Sequence, residues 1–145
     1  MASIEKKFTL SVPSSTENLV LVREFISNIG GQAGFDELDV NKLQLAVDEA
    51  CANVIEHAYS YDNSKEVLIR ATFDTEKLKI DIVDTGPAFD PTTGAIKDIK
   101  QLIREKRSGG LGLRLMKTLV DELHYDNESD QKNALHMIKR LPPKK

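Results

Sequence analysis

Residues 67–82 of the 145-residue chain read VLIRATFDTEKLKIDI. Large apolar side chains recur at every second position over 67–73 and again over 78–82, which is the period of a half-buried β-strand. The short connection Asp74-Thr75-Glu76 leaves no room for the crossover of a dozen or more residues that parallel strands need. The stretch therefore predicts an antiparallel hairpin.

The chain before this hairpin begins with a predicted strand and helix. Alternation over residues 4–12, stopped by Pro13, is typical of a strand. The hydroxyl residues at 14–16 are candidates for the N-cap of a first helix, and Gly30 and Gly31 are expected to end it.

A second helix is predicted from Asp36 or Asp39 to about Tyr59. Its apolar positions recur at spacings of three and four, so one face is expected to be buried. The turn-forming residues 62–64 then lead into the hairpin.

The chain after the hairpin is irregular over 84–110 and then returns to regular periodicity. A third helix is predicted over 110–123, followed by strands over 123–128 and 134–141 joined by a turn at 130–133. The resulting element order predicts an α+β fold, a two-layer sandwich with helices on one face of a mostly antiparallel sheet.

Composition limits the function classes. Twenty basic and 23 acidic residues give a net charge of −3, which argues against a nucleic-acid surface. No apolar run approaches the ~20 residues needed to cross a membrane, and the charged N-terminus lacks a signal core. A single cysteine, Cys51, excludes a cysteine-based zinc cage and is expected to be a buried small hydrophobe. We expect one cytoplasmic domain over residues 1–145.

Three short stretches contain polar residues and glycines that the packing of a core does not require. Glu49, Asn53 and His57 lie four residues apart on the second helix and would form a line along one flank, although a solvated face has the same spacing. Asp84 and Gly86 follow a predicted strand, where a carboxylate can face a pocket and glycine lets a ligand approach the backbone. An ordinary turn is the alternative there.

The third stretch is a glycine-rich entry to the third helix, Gly109-Gly110-Leu111-Gly112-Leu113. Consecutive backbone N–H groups at a helix start bind anions, whereas a flexible linker is the alternative. No Lys-Ser or Lys-Thr pair follows, so it is not a Walker A loop.

The three stretches could converge on one nucleotide pocket. Asn53 could bind Mg²⁺ through its amide oxygen, and Glu49 could accept a proton from an attacking hydroxyl or water. Asp84 could accept a hydrogen bond from a purine amino group, while the glycines hold the phosphates.

This arrangement resembles the anti-sigma factor serine kinases, of the RsbW and SpoIIAB type, in the GHKL superfamily of Bergerat-fold ATPases. Residues 45–59, LAVDEACANVIEHAY, resemble the N box of that family, and residues 84–91, DTGPAFDP, resemble its first glycine box. Residues 109–113, GGLGL, resemble the second glycine box. The order of the three boxes also matches.

The resemblance implies a role for each matching residue. Glu49 would be the catalytic base, Asn53 the magnesium ligand, and Asp84 the acceptor for the adenine amino group. ATP would also be contacted by Gly86 behind the ring, and by Gly109, Gly110, Leu111, Gly112 and Leu113 around the phosphates. His57 could order the phosphate pocket or cap the end of the helix. Lys106 and Arg107 would neutralise phosphate charge from an ATP lid spanning about 87–109.

The activity implied by the resemblance is ATP-dependent phosphorylation of a serine in an anti-sigma factor antagonist with a STAS domain. The protein would also sequester a sigma factor, form a homodimer, and contact neither nucleic acid nor membrane. The alternative is a nucleotide-responsive binding module without kinase activity. The presence of Glu49 four residues before Asn53 favours the enzyme, because a binding module needs no base at that position.

Overall fold

Five antiparallel strands form the sheet on which the rest of the structure packs. The computed structural model describes residues 4–87, 116–129 and 132–143. The strands are β1 (Lys6–Pro13), β2 (Glu66–Phe73), β3 (Lys77–Asp84), β4 (Glu122–Ser129) and β5 (Lys132–Arg140), in the spatial order β1-β2-β3-β5-β4. The predicted hairpin is confirmed, since Ile69 of β2 lies opposite Ile82 of β3 in an antiparallel register.

One face of the sheet carries the core because side chains alternate between the two faces of each strand. In β2 the residues Val67, Ile69, Ala71 and Phe73 are buried, whereas the intervening side chains are partly exposed. Two helices, α1 (Leu19–Ala33) and α2 (Glu37–Asn53), supply the second layer. The predicted two-layer α+β arrangement is therefore confirmed.

The first helix ends later than its glycines predicted. Gly30 and Gly31 lie inside α1, and the C-cap is Gly34, whose φ of 106° is the left-handed conformation that favours glycine. Gly30 is small for a packing reason, because a Cβ there would lie 3.0 Å from Val40 Cγ2 on α2. The predicted end of the helix at Gly30 and Gly31 is wrong. Gly30 allows α1 to pack closely against α2, and the glycine that caps the helix is Gly34.

The second helix begins at the first of its two predicted positions. Asp36 is the N-cap, and its Oδ1 accepts a hydrogen bond from Asp39 N–H at 2.8 Å. After Asn53 the helix continues as a π-helical turn, Val54–Ala58, and the chain leaves it at Tyr59. Ser60 and Tyr61 then adopt positive φ values of 47° and 64°, which reverse the chain toward β2.

The third helix ends, and the last strand begins, earlier in the chain than predicted. Residues 116–119 are helical, and β4 begins at Glu122, so the predicted helix to 123 runs too far. Asn133, predicted in a turn, lies in β5 opposite Asp84 of β3. Residues 110–115 of the predicted helix and most of the predicted lid lie outside the described residues. Among the described helices, none has the length and apolar character to span a membrane.

Candidate functional site

A pocket lies between the C-terminal part of α2, the end of β3 and the last two strands. We call it the Asn53–Asp84 pocket after its two polar residues from the predicted site. Its lining residues are Ala50, Asn53, Val54, Ala58, Ile82, Asp84, Tyr125 and Leu135. The wall is mainly apolar with two polar side chains from the predicted site, a composition typical of small-molecule sites.

Asn53 is a buried residue of the pocket wall, 6% exposed. Among the described residues no buried side-chain nitrogen or oxygen lacks a hydrogen-bond partner, and no described residue hydrogen-bonds to the Asn53 amide. The amide is therefore accessible from the pocket and can receive a ligand. An amide oxygen is also a hard donor of the kind Mg²⁺ accepts, and the residue therefore fits a metal-bound ligand.

Glu49 lies one helical turn before Asn53, as their spacing of four residues in α2 requires. It is partly buried and does not line the pocket itself. Burial raises the pKa of the Glu49 carboxyl, and the negative charge of Asp48 raises it further. A carboxylate with a raised pKa accepts a proton more readily at neutral pH than an exposed one.

His57 lies in the π-helical turn that follows Asn53. Its Nε2 is 3.8 Å from Glu56 Oε2, and it does not line the Asn53–Asp84 pocket. A role for His57 in nucleotide binding stays a prediction.

Asp84 is the last residue of β3, and its carboxylate is held on one side only. Oδ1 accepts hydrogen bonds from Gly86 N–H at 2.9 Å and from Asn133 Nδ2 at 3.1 Å. The other oxygen, Oδ2, accepts none from the residues that the structure describes. Burial raises the pKa of Asp84, and the two hydrogen bonds oppose this rise. Oδ2 is therefore the oxygen that can accept a ligand's N–H.

Gly86 is in direct contact with the end of the π-helical turn. A Cβ added at Gly86 would lie 2.5 Å from the carbonyl oxygen of Ala58, a distance that real Cβ atoms do not reach. The Gly86 carbonyl also accepts a hydrogen bond from Asn133 Nδ2 at 2.8 Å. Only glycine allows the loop after β3 to lie this close to the helix end.

Two residues that support the site were not assigned a role from the sequence. Asn133 binds both Asp84 and Gly86, but its neighbours in the sequence resemble a turn. The Tyr59 hydroxyl, on a ring that is 5% exposed, donates to the Glu66 carbonyl at 2.7 Å and accepts from Thr85 N–H at 2.9 Å. Both act on residues distant in sequence, so local patterns carry no signal for them.

A second polar cluster lies on the sheet face opposite the helices. His136 contacts Asp81 through Nδ1 at 2.6 Å and Asp126 through Nε2 at 3.1 Å. Arg70 pairs with Asp81 and with Glu128. Asp126, Glu128 and His136 are close enough to one another to hold a metal ion, but each is already engaged in these contacts. The contacts of His136 join two strands of the sheet and are those of a structural histidine.

Cys51 is fully buried, and burial raises the pKa of its thiol to about 12, with Asp48 contributing. The expectation of a small buried hydrophobe is confirmed, since a thiol with this pKa is a poor nucleophile at neutral pH.

Several predicted site residues lie outside the described residues. They are Lys106, Arg107, Gly109, Gly110, Leu111, Gly112 and Leu113, together with the lid except Pro87. Their roles stay predictions.

Comparison with known proteins identifies the family. Residues 12–139 match the histidine kinase-like ATPase domain. The chain is 33% identical over 132 residues to the serine-protein kinase RsbW of Listeria monocytogenes, covering 87% of this chain and 84% of that protein. It is 32% identical over 129 residues to RsbW of Bacillus subtilis, covering 83% and 78%.

A solved structure has the same fold. The crystal structure of the RsbU and RsbW domains of a Mycobacterium tuberculosis protein matches with a TM-score of 0.65 at 15% identity, over 93% of this chain and 32% of that one. The chain therefore belongs to the histidine kinase-like ATPase family and, within it, to the RsbW serine-protein kinases. The predictions of the family and of a protein-serine kinase are confirmed.

The contact between Gly86 and Ala58 generates a first prediction. Replacing Gly86→Ala should separate the loop from the helix end, lower the free energy of unfolding by roughly 1–3 kcal/mol, and weaken nucleotide binding. Urea denaturation and calorimetric titration with ATP measure the two effects. The matched control is Gly31→Ala, because nothing lies within 4 Å of a Cβ there, so stability should be kept or raised. Equal behaviour of the two variants would contradict the steric argument.

The raised pKa of Asp84 generates a prediction on stability. The pKa of Asp84 in the folded chain is raised above the ordinary value of 3.8, so the carboxyl ionises more easily in the unfolded chain. Raising the pH therefore favours the unfolded chain and lowers the free energy of unfolding. Asp84→Asn should therefore become more stable relative to the unaltered chain as pH rises from acidic to neutral, as measured by urea denaturation.

Asp74→Asn provides the opposite control. The N–H groups of Glu76 and then Lys77 lower the pKa of the Asp74 carboxyl, which stabilises the fold at neutral pH and is lost as pH falls. Its deficit in stability should grow as pH rises. The same trend in both variants would contradict the assignment.

Proposed function

We propose that this chain transfers the γ-phosphoryl group of ATP to a serine of a STAS-domain anti-sigma factor antagonist, and that it also sequesters a sigma factor. One observation supports the proposal above all. Asn53 and Asp84 line one pocket, at the end of the helix that carries Glu49, and neither the Asn53 amide nor Asp84 Oδ2 is hydrogen-bonded to another of the described residues. The family of the chain provides the activity into which these groups fit.

In this proposal the apolar wall of the pocket receives the adenine ring. Asp84 Oδ2 accepts a hydrogen bond from the adenine amino group, while Gly86 leaves space behind the ring. An accepting carboxylate selects adenine over a base with a carbonyl at the same position, because two acceptors repel each other.

At the other end of the pocket, Asn53 would hold Mg²⁺ through its amide oxygen. The ion, when bound, neutralises charge on the phosphates. The backbone N–H groups of Gly110, Leu111 and Gly112, flanked by Gly109 and Leu113, would bind the phosphates. Lys106 and Arg107 in a lid over about 87–109 would add positive charge, and His57 would help to order the phosphate end.

Glu49 would act as the base. It takes the proton from the serine hydroxyl as the serine oxygen bonds to the γ-phosphorus, the bond from that phosphorus to the bridging oxygen breaks, and ADP leaves. The raised pKa of Glu49 fits this task, because the proton must be accepted during transfer. Positioning of the two reactants supplies most of the catalysis in phosphoryl transfer.

The proposed setting is cytoplasmic. Phosphorylation of the antagonist adds a double negative charge to its docking surface and would end its competition with the sigma factor. A homodimer is proposed from the family, and direct contact with nucleic acid is not expected at a net charge of −3. A nucleotide-responsive module without kinase activity is the alternative that the next experiment separates.

Replacing Glu49→Gln should preserve ATP binding and lower phosphoryl transfer by roughly a hundredfold to ten-thousandfold, because the base is lost while the pocket stays intact. Transfer from γ-labelled ATP to candidate STAS-domain proteins measures the rate. Glu24→Gln, an exposed carboxylate on α1, is the control and should transfer normally. Undiminished transfer by Glu49→Gln would remove Glu49 from the mechanism, and no transfer by the unaltered chain to any antagonist would favour the binding module.

Replacing Asp84→Asn should weaken ATP binding by roughly tenfold to a hundredfold, because a charged acceptor for the adenine amino group is lost. The asparagine oxygen can still accept from Gly86 and Asn133, so the loop should stay in place. Calorimetric titration measures the affinity, with Asp74→Asn as a control remote from the pocket. Unchanged affinity for ATP would contradict the assignment of Asp84.

A further inference from the structure

We propose that Tyr59 is a positioning residue for nucleotide recognition, and that its hydroxyl group sets where the Asp84 carboxylate lies relative to Asn53. This inference rests on the proposed function, since it concerns the adenine contact of the same pocket. Tyr59 does not line the pocket, so it acts through the loop after β3 and not on the ligand.

The hydroxyl of Tyr59 joins three segments of the chain. It donates to the Glu66 carbonyl, where β2 begins, and accepts from Thr85 N–H, directly after β3. Tyr59 itself is part of the helix end, because its backbone N–H donates to the Val54 carbonyl at 2.9 Å. One side-chain oxygen therefore connects the end of the Asn53 helix to the peptide that follows Asp84.

The position of this contact determines its effect. The N–H of Thr85 belongs to the peptide plane that links Asp84 to Thr85, and the next N–H, of Gly86, binds Asp84 Oδ1. By fixing the first peptide plane, the Tyr59 hydroxyl also fixes the direction of the backbone between Asp84 and Gly86. The Gly86 N–H that binds the Asp84 carboxylate is thereby held in place. Asn133 holds the same carboxylate from the side of β5, at 3.1 Å. Together the two contacts leave Oδ2 as the open oxygen.

The helix end needs such an anchor. The residues after Tyr59 have positive φ values of 47° at Ser60 and 64° at Tyr61, conformations that non-glycine residues adopt only when the surroundings hold them. Ala58, just before Tyr59, contacts Gly86 through its backbone. The π-helical turn thus meets the loop at two adjacent points, a backbone contact and a hydroxyl bridge.

Tyr59→Phe separates positioning from folding. The phenyl ring keeps the buried volume, and Thr85 is an exposed residue, so water can replace the lost partner of its N–H group. The expected loss is therefore in the orientation of Asp84 and not in the fold.

The readout is base discrimination, measured as the ratio of the dissociation constants for ITP and ATP. ITP lacks the amino group that Asp84 would bind. Tyr59→Phe should weaken ATP binding by roughly fivefold to tenfold while ITP binding changes little, so the ratio falls. A merely structural role would change both affinities together and leave the ratio unaltered. Tyr61→Phe, which removes the hydroxyl of an exposed tyrosine two residues on, should leave both affinities unchanged.

A double-mutant cycle with Asp84→Asn completes the test. If Tyr59 acts through Asp84, Tyr59→Phe should not lower the ratio further once Asp84 is replaced. Additive effects of the two substitutions on the ratio would overturn this inference and leave the proposed function standing. The same holds if the unaltered chain prefers ATP and Tyr59→Phe leaves the ratio unchanged. Equal binding of ATP and ITP by the unaltered chain would instead contradict the adenine role of Asp84 and, with it, this inference.

Discussion

The buried carboxylate of Asp84 is the constraint on which the site depends. Burial disfavours its charge, so the structure surrounds one oxygen with donors from Gly86 and Asn133, while the other accepts no hydrogen bond from the described residues. This arrangement is less stable than a neutral side chain would be in the same place. Sites that recognise charge or hydrogen-bonding groups commonly carry such a stability cost, because the ligand supplies the missing partner.

The antiparallel sheet makes this arrangement possible. Asp84 ends β3 directly opposite Asn133 near the start of β5, and the π-helical turn brings Ala58 and Tyr59 onto the loop between them. The pocket is therefore held by a strand pair on one side and by a helix end on the other. A π-helical turn at this point is consistent with the general occurrence of such turns at functional sites.

The same geometry separates the residues proposed to bind the base from those proposed to act in phosphoryl transfer. In the proposed function Asp84 and the apolar wall would bind the base, and Glu49 and Asn53, one turn apart on α2, would act on the phosphates. A regular α-helix fixes the distance between an amide and a carboxylate four residues apart more firmly than a loop does. The reaction needs little beyond correct placement and charge, so a rigid helix is an appropriate support.

Local regularities in the sequence determined the class of fold and the central polar residues. Alternation predicts the hairpin, Asp36 and Asp39 are the two predicted starts of α2, and the spacing of Glu49 and Asn53 predicts their common flank, because strand and helix periods depend on neighbouring residues. Only the tertiary structure decided that Asn133 holds Asp84 and that Tyr59 binds Thr85, since these contacts join residues 49 and 26 positions apart. It also decided that α1 passes through Gly30 and is capped by Gly34, and that α2 continues as a π-helical turn through His57. Packing between helices and the approach of the loop to the helix end select these features, and neither is encoded in a local pattern.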